Sequence, residues 1–298
     1  MARQLEPHQL IERSIIKKYR EVLWHPFIDA VNRYRLIEAG DRIAVCISGG
    51  KDSMLMAKLM QEVQRHGNVP FENILLVMDP GYSPENREKI ISNTALLHVP
   101  VTIFDSNIFS VANAQDHSPC YLCAKMRRGW LYSKAKELGC NKIALGHHFD
   151  DVIETTVMSM FYSSQIRAML PKLHSDHFEG MELIRPLYEV HEKDIIAWSR
   201  YHKLEFLRCA CRFTENAAFG DTGVSKRLVI KNLIREMKKD TPDLDQSIFN
   251  SIHSVCLDTM PGWQYRGQEH SFLENYECVT IQHPGNMCDN QAGNLFPD

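Results

Sequence analysis

The sequence predicts an α/β protein built on a doubly wound, parallel five-stranded sheet, with helical segments at both ends. Three observations carry this. Short runs rich in Val and Ile recur along the chain, each is followed by a turn and a longer stretch of helical period, and a glycine turn follows directly on the first run. Strand and helix alternating in this way give βαβ units, whose crossovers place helices on both faces of one sheet.

In chain order, residues 8–38 read as helical with a break near Pro26. Strands follow at 42–48 (RIAVCIS), 73–79 (NILLVMD), 99–105 (VPVTIFD) and 141–147 (NKIALGH). A fifth, ELIRPLY at 182–188, precedes a helix starting near His191, and LEFLRC at 204–209 is a sixth strand or a loop. Residues 224–239 and 243–257 read as two terminal helices. From Thr259 the chain is rich in Gly, Pro, Asn and Gln and loses its periodicity. The expected organisation is a helical segment at 1–40, an α/β domain at 41–210, a helical segment at 211–258 and an irregular tail at 259–298.

Composition narrows the function. At 44% hydrophobic and 24% charged, the 298 residues fit neither a disordered chain, collagen nor a simple coiled coil. No apolar run approaches the roughly 20 residues that span a bilayer. The amino-terminal MARQLEPHQLIERSIIKKYR is polar and charged, unlike a signal peptide, so the expected location is cytoplasmic with no membrane partner. Lys and Arg total 34 against 37 Asp and Glu, a net charge of −3, so a nucleic-acid surface has to be a local patch. Nine cysteines in such a chain point to metal, redox chemistry or burial rather than to disulfides.

The first strand runs into Ser48, Gly49, Gly50, Lys51, Asp52 and Ser53, and then into a helix. Two glycines let the backbone turn tightly and bring its N–H groups close to an anion. The positive end of the helix points at the same spot, and Lys51 and two hydroxyls add to it. The bland alternative is a strand–helix turn capped by Asp52 and Ser53. The spacing is too short for the GxxxxGK[ST] loop. SGGKDS resembles the PP-loop of the N-type ATP pyrophosphatases, which cleave ATP between the α- and β-phosphates and adenylate a substrate. That resemblance implies ATP at the carboxyl ends of the strands, with adenine and ribose beside Val77, Met78 and Asp79. Gly146 and Asp151 join the loop residues as nucleotide contacts, and Asp52 also belongs to the catalytic set.

The second signal is SPCYLCAKMRRGWLYSKAKELG. Ser118 suits an N-cap and Pro119 the first helical position, which puts Cys120 and Cys123 on one face of the first turn. The helix dipole, Lys125, Arg127 and Arg128 favour thiolate there. Redox chemistry, zinc and an iron–sulfur cluster all remain open to a single CxxC. Cys209 and Cys211 in FLRCACRF are candidates for further ligands, although C-x-C is unusual for a Cys₄ zinc site. Cys46 and Cys140 read as core or turn thiols, and Cys256, Cys278 and Cys288 as outside any ligand set. In GHHFDD, Asp150 and Asp151 either cap the next helix or hold Mg²⁺ or a target base, and His147 and His148 read first as structural.

CYLCAKMRRGWLY, ALGHHFDDVIETTVMSMFY, RAMLPKL and IRPLYEVHEKDI together resemble the tRNA 2-thiocytidine synthetase family, cluster-dependent tRNA thiolases, over about residues 41–237. The resemblance implies a [4Fe-4S] cluster held by Cys120, Cys123 and Cys209, with Cys211 as the alternative third ligand. The family's later motif is typically PCxxC; here the chain reads RCAC, with Arg208 where a proline is expected. It also implies Asp150 as catalytic acid or base, supported by Asp151 and Glu154, and Arg127 against pyrophosphate or the activated oxygen. The implied substrate is a tRNA cytidine, adenylated on its C2 oxygen and then attacked by sulfur from a cysteine desulfurase or free sulfide. A homodimer is compatible with this reading. RNA contacts fall to Arg128, Arg167, Lys172, Lys226 and Arg227, with Lys125, Lys134, Lys136, Lys231 and Arg235 nearby in sequence. The rival readings are an adenylating or sulfur-transfer enzyme for a small molecule, and a non-catalytic iron–sulfur sensor.

Overall fold

The computed structural model describes residues 5–106, 108–109, 119–207 and 225–278. Helix α1 (Pro7–Ile16) starts with Pro at its first position and a Glu6–Gln9 capping box. A π-helical turn (Arg20–Trp24) leads into α2 (His25–Arg33). The irregularity in this region therefore precedes Pro26, which sits in the first turn of α2, where its missing N–H costs nothing. The helix ends at Arg33 rather than near 38, because Arg35 takes a left-handed φ of 49°.

The sheet contains β1 (Arg42–Ile47), β2 (Glu72–Asp79), β3 (Thr102–Asp105), β4 (Lys142–Ala144), β5 (Lys172–His174) and β6 (Glu182–Ile184), in the order β3-β2-β1-β4-β6-β5. The five strands expected from the sequence are parallel to one another. A sixth is added: β5 pairs antiparallel with β6 at the edge. Three residues are too few to show an alternating pattern, which is why β5 escapes a reading by period. Residues 204–207, the sequence candidate for a sixth strand, are loop, and 208–209 lie outside the described residues.

Helices α3 (Lys51–His66), α4 (Pro84–Leu96), α5 (Pro119–Glu137), α6 (Phe149–Ser163) and α7 (Glu192–Tyr201) connect or follow the strands, and α8 (Lys226–Met237) comes after them. Strand β1 is buried on both sides, and it divides its side chains by period two. Ile43, Val45 and Ile47 join a core with Leu55, Leu59 and Trp198, while Ala44 and Cys46 join a second with Leu131, Tyr132 and Leu183. Cys46 and Cys140 are free buried thiols, pushed up by burial to about 12 and about 11, as core cysteines should be.

A separate compact unit begins at Asp243. It opens with α9 (Leu244–Ser251), shorter than the helix expected at 243–257, since residues 250–255 (NSIHSV) contain no strong helix former. Residues 262–271, expected to be irregular, form a hairpin of β7 (Gly262–Tyr265) and β8 (Gln268–Ser271). Arg266 and Gly267 both have positive φ, the geometry of a two-residue turn that matches strand twist. Residues 279–298 lie outside the described residues.

At the amino end of the parallel strands, Lys142 is buried to 2% exposure against Asp41 at 2.6 Å and Glu182 at 3.4 Å, with its ammonium also donating to the Leu36 carbonyl at 3.2 Å. Removing one partner of such a pair strands a buried charge. Lys142→Ala should therefore lose about 3 kcal/mol or more in urea denaturation, with Asp41→Asn losing less, because it retains a hydrogen-bonding group.

Candidate functional site

Strand order reverses between β1 and β4, and the loops leaving these two strands meet. Gly49 has φ +83° and no space for a side chain, since a Cβ would lie 2.7 Å from Ile90 Cγ1. Gly50 is the N-cap of α3. Ser53 Oγ accepts from the Ser48 N–H at 3.1 Å and donates to the Gly50 carbonyl at 3.0 Å, which closes the loop on itself. Gly146, after β4, packs on the same turn: a Cβ there would stand 3.2 Å from Ser53 N and 3.3 Å from Asp52 C. The α3 N-terminus has no side-chain cap, and an uncapped helix N-terminus is the physical requirement for a phosphate cradle.

In front of this loop lies a cleft of about 980 Å³, lined among others by Ser48, Lys51, Asp52, Arg127, Glu192 and Phe206. Arg127 comes from α5, the helix whose first turns contain Cys120 and Cys123. Leu207 N–H donates to the Gly49 carbonyl at 3.1 Å, so the chain is fastened to the loop directly before Arg208 and Cys209. Both cysteine-bearing segments thus leave from the walls of the same cleft. Residues 208–224, with Cys209 and Cys211, lie outside the described residues, as do the side chains of 119–125.

The carboxylates form a connected set. His148 is the N-cap of α6 in a capping box with Asp151, whose Oδ2 accepts from the His148 N–H at 3.1 Å. Arg227 of α8 donates to Asp151 and, at 3.2 Å, to Thr155 Oγ1, and lies 3.5 Å from Glu154. Burial raises the Asp151 carboxyl, but His148 and Arg227 outweigh it and hold the group below its usual range. Glu154, only 5% exposed, is pushed by burial to about 7 in spite of Lys231 and Arg227. Asp150 Oδ2 accepts from the Glu192 N–H at 2.7 Å, at the start of α7. Glu192 Oε1 pairs with Lys51 at 3.0 Å and its Oε2 with Lys231; burial raises it, but these two cations bring it down to about 2. His147 is held down to about 4 by burial and by Arg185, so its imidazole is neutral near pH 7.

A model of the PP-loop domain family matches residues 22–211. The tRNA-cytidine(32) 2-sulfurtransferase of Neisseria meningitidis serogroup C (strain 053442) is 35% identical over 245 residues, 80% of this chain and 73% of that protein. The protein of that name from Vibrio campbellii (strain ATCC BAA-1116) is 36% identical over 234 residues, 76% of this chain and 75% of its own. The chain belongs to the tRNA-cytidine(32) 2-sulfurtransferase family of PP-loop proteins. The U34-tRNA thiolase NcsA from Methanococcus maripaludis, solved with its [4Fe-4S] cluster, shares the fold at a TM-score of 0.62 and 18% identity, covering 82% of this chain and 81% of that one.

For this PP-loop protein, the structure gathers most of the sequence candidates and displaces a few. Ser48, Gly50, Lys51, Asp52 and Arg127 line the cleft, and Gly49, Ser53 and Gly146 shape its floor. Asp150 is one residue removed, bonded to the backbone of Glu192. Met78 is buried in the second core, which leaves only its backbone to face a ligand. Asp79 is engaged by the Gly81 and Tyr82 N–H groups and by Arg87 at 2.6 Å. Of the residues assigned to RNA, Lys172 pairs instead with Glu182 at 3.1 Å and Glu38 at 3.5 Å, and Arg227 faces inward to Asp151. Lys226 lies over the Tyr162 ring at 4.8 Å, and Arg128 and Arg167 are exposed. Sequence reading missed Glu192, because an acidic residue in a first helical turn is ordinary dipole complementation.

The raised Glu154 carboxyl gives a pH test. The folded state holds a proton that the unfolded state gives up near 4.5, so this contribution is complete below about 4.5 and is lost as pH rises through about 7. Wild type should therefore lose stability relative to Glu154→Gln across that window, read from urea midpoints at a series of pH values.

Proposed function

We propose that this protein is an ATP-dependent tRNA sulfurtransferase that replaces the C2 oxygen of cytidine 32, in the anticodon loop, with sulfur. The observation that carries this reading is the convergence on one cleft of the PP-loop, of α5 through Arg127, and of the chain leading to Cys209 through Leu207. An adenylation site and a sulfur-handling site have to share one target atom, and this layout supports that.

ATP binds with its phosphates on the loop N–H groups and Lys51. Among the carboxylates at hand for the accompanying Mg²⁺ are Asp52 and Asp150. The cytidine C2 oxygen attacks the α-phosphorus in line, and Lys51 and Arg127 neutralise the charge that leaves with pyrophosphate. Once C2–O carries AMP it is a good leaving group, so sulfur forms its bond to C2 as the C–O bond to AMP breaks. Asp150 serves as the acid or base that moves the base's proton in these steps.

The cysteines fit an iron–sulfur donor set. Cys120 and Cys123 stand three apart at the positive end of α5, while the buried neutral thiols of Cys46 and Cys140 are unsuited to be ligands. With Cys209 or Cys211 as third donor they would hold a [4Fe-4S] cluster, which supplies a Lewis-acid site for the incoming sulfur. The sulfur comes from a cysteine desulfurase or free sulfide. Arg128, Arg167 and Lys226 are the phosphate contacts for the anticodon loop, and the target base has to leave its stack to reach the cleft.

The decisive measurement is nucleoside mass spectrometry of tRNA from a deletion strain carrying variants of the gene. Wild type should restore 2-thiocytidine, whereas Lys51→Ala, Cys120→Ala and Cys123→Ala should not. Anaerobically reconstituted wild type should bind about four irons, and the two cysteine variants should lose them. Stoichiometric zinc with no iron uptake would refute the cluster. Separately, Arg167→Glu with Lys226→Glu should weaken tRNA binding and flatten its salt dependence without changing ATP binding.

A further inference from the structure

Glu192 lines the cleft and touches both the loop lysine and α8. Its Oε1 lies 3.0 Å from Lys51 Nζ, and its Oε2 takes Lys231 Nζ. The backbone beneath it is fixed by Asp150 at 2.7 Å. The pairing is partly shielded, with side-chain exposures of 26% at Lys51, 17% at Glu192 and 41% at Lys231. Lys51 is the ammonium that the PP-loop presents to an anion, and in this structure its anions are Glu192 and Asp52. We propose that Glu192 is a positioning residue that competes with the phosphates of ATP for Lys51, and that Lys231 sets the strength of that competition by holding the other carboxylate oxygen. This rests on the cleft being the ATP site.

The consequences follow from Coulomb's law in a partly dry cleft. When phosphates draw Lys51 away, Glu192 keeps Lys231, so no unpaired carboxylate is left facing the polyphosphate. The Glu192–Lys231 pair then has one cation rather than two sharing the carboxylate, and α8 is held more firmly to α7. Arg227, clamped to Asp151 and near Glu154, keeps α8 in register whichever partner Lys51 has. Nucleotide occupancy is in this way transmitted to α8, which carries Lys226 on its exposed side.

The test is calorimetric titration of the full-length protein with a non-hydrolysable ATP analogue and Mg²⁺, without tRNA. Glu192→Gln keeps the shape and removes the competing charge, and should tighten binding about threefold to tenfold. Lys231→Met leaves Glu192 to Lys51 alone and should weaken binding by a similar factor. A structural role for either residue would weaken both variants alike, and a simple field effect would make the two changes additive. Competition instead requires that Glu192→Gln with Lys231→Met bind as Glu192→Gln does, since Lys231 has nothing left to modulate. Weaker binding by Glu192→Gln, or additive effects in the double variant, would overturn the proposal while leaving the ATP site intact. Absence of analogue binding by the wild type would instead overturn the ATP site, and the proposal with it.

Discussion

The organising constraint is the contact between the ends of β1 and β4. A polyphosphate can reach a helix N-terminus only if no side chain stands in between, and the loop can turn there only in a left-handed conformation. Gly49 answers the second demand with φ +83°, and it also lets the loop pack on Ile90, which any added Cβ would meet at 2.7 Å. Gly146 answers the packing demand from the neighbouring strand, its backbone set against Asp52 and Ser53. Everything else in the cleft takes its position from this junction. Arg127 faces it from α5, Leu207 is strapped to it by the Gly49 carbonyl, and α7 contributes Glu192 across from Lys51.

The two ends of the sheet use the same ion pair for opposite purposes. At the amino end, Lys142 and Asp41 are both sealed, 2% and 6% exposed, and their charges satisfy one another permanently. At the carboxyl end, Lys51 and Glu192 face an open cleft where a more highly charged anion can replace the carboxylate. A buried pair resists exchange because each partner's desolvation has already been incurred and no mobile ion can reach either of them. A pair on a cleft wall is open to one. Exposure to the cleft, with a lysine–carboxylate pair in both places, separates the sealed lysine from the one an anion can reach.

The sequence made the parallel core legible because its strands are continuous apolar runs followed by helical periods, and SGGKDS and GHHFDD end such runs. It hid what depends on distant partners. The edge strand at Lys172–His174 is too short for a pattern and exists by pairing with β6. The hairpin at 262–271 rests on a two-residue turn, Arg266-Gly267, within a stretch whose composition looks like a tail. The site was readable wherever one local motif held its residues together. Glu192 was invisible because its meaning comes from Lys51, 141 residues away, and from Lys231, 39 residues away.

The same limit explains the basic residues. On α8, Arg227 and Lys231 are one turn apart on the face that also buries Ile230 and Ile234. In a linear sequence, such a basic pair reads as a solvated, RNA-facing stripe. In the fold it meets Asp151, Glu154 and Glu192, so its charge is countered by half-exposed ion pairs with the protein's own carboxylates. Lys172 is likewise neutralised at the sheet edge. Of the five residues the sequence assigned to RNA contact, Lys172 and Arg227 are so paired, which leaves Arg128, Arg167 and Lys226. On a chain of net charge −3 these are a few fixed cations rather than a broad positive field. Isolated cations of this kind discriminate by placement: a polyanion gains only where its own charges come to lie against those positions, whereas a broad field would attract it in any orientation.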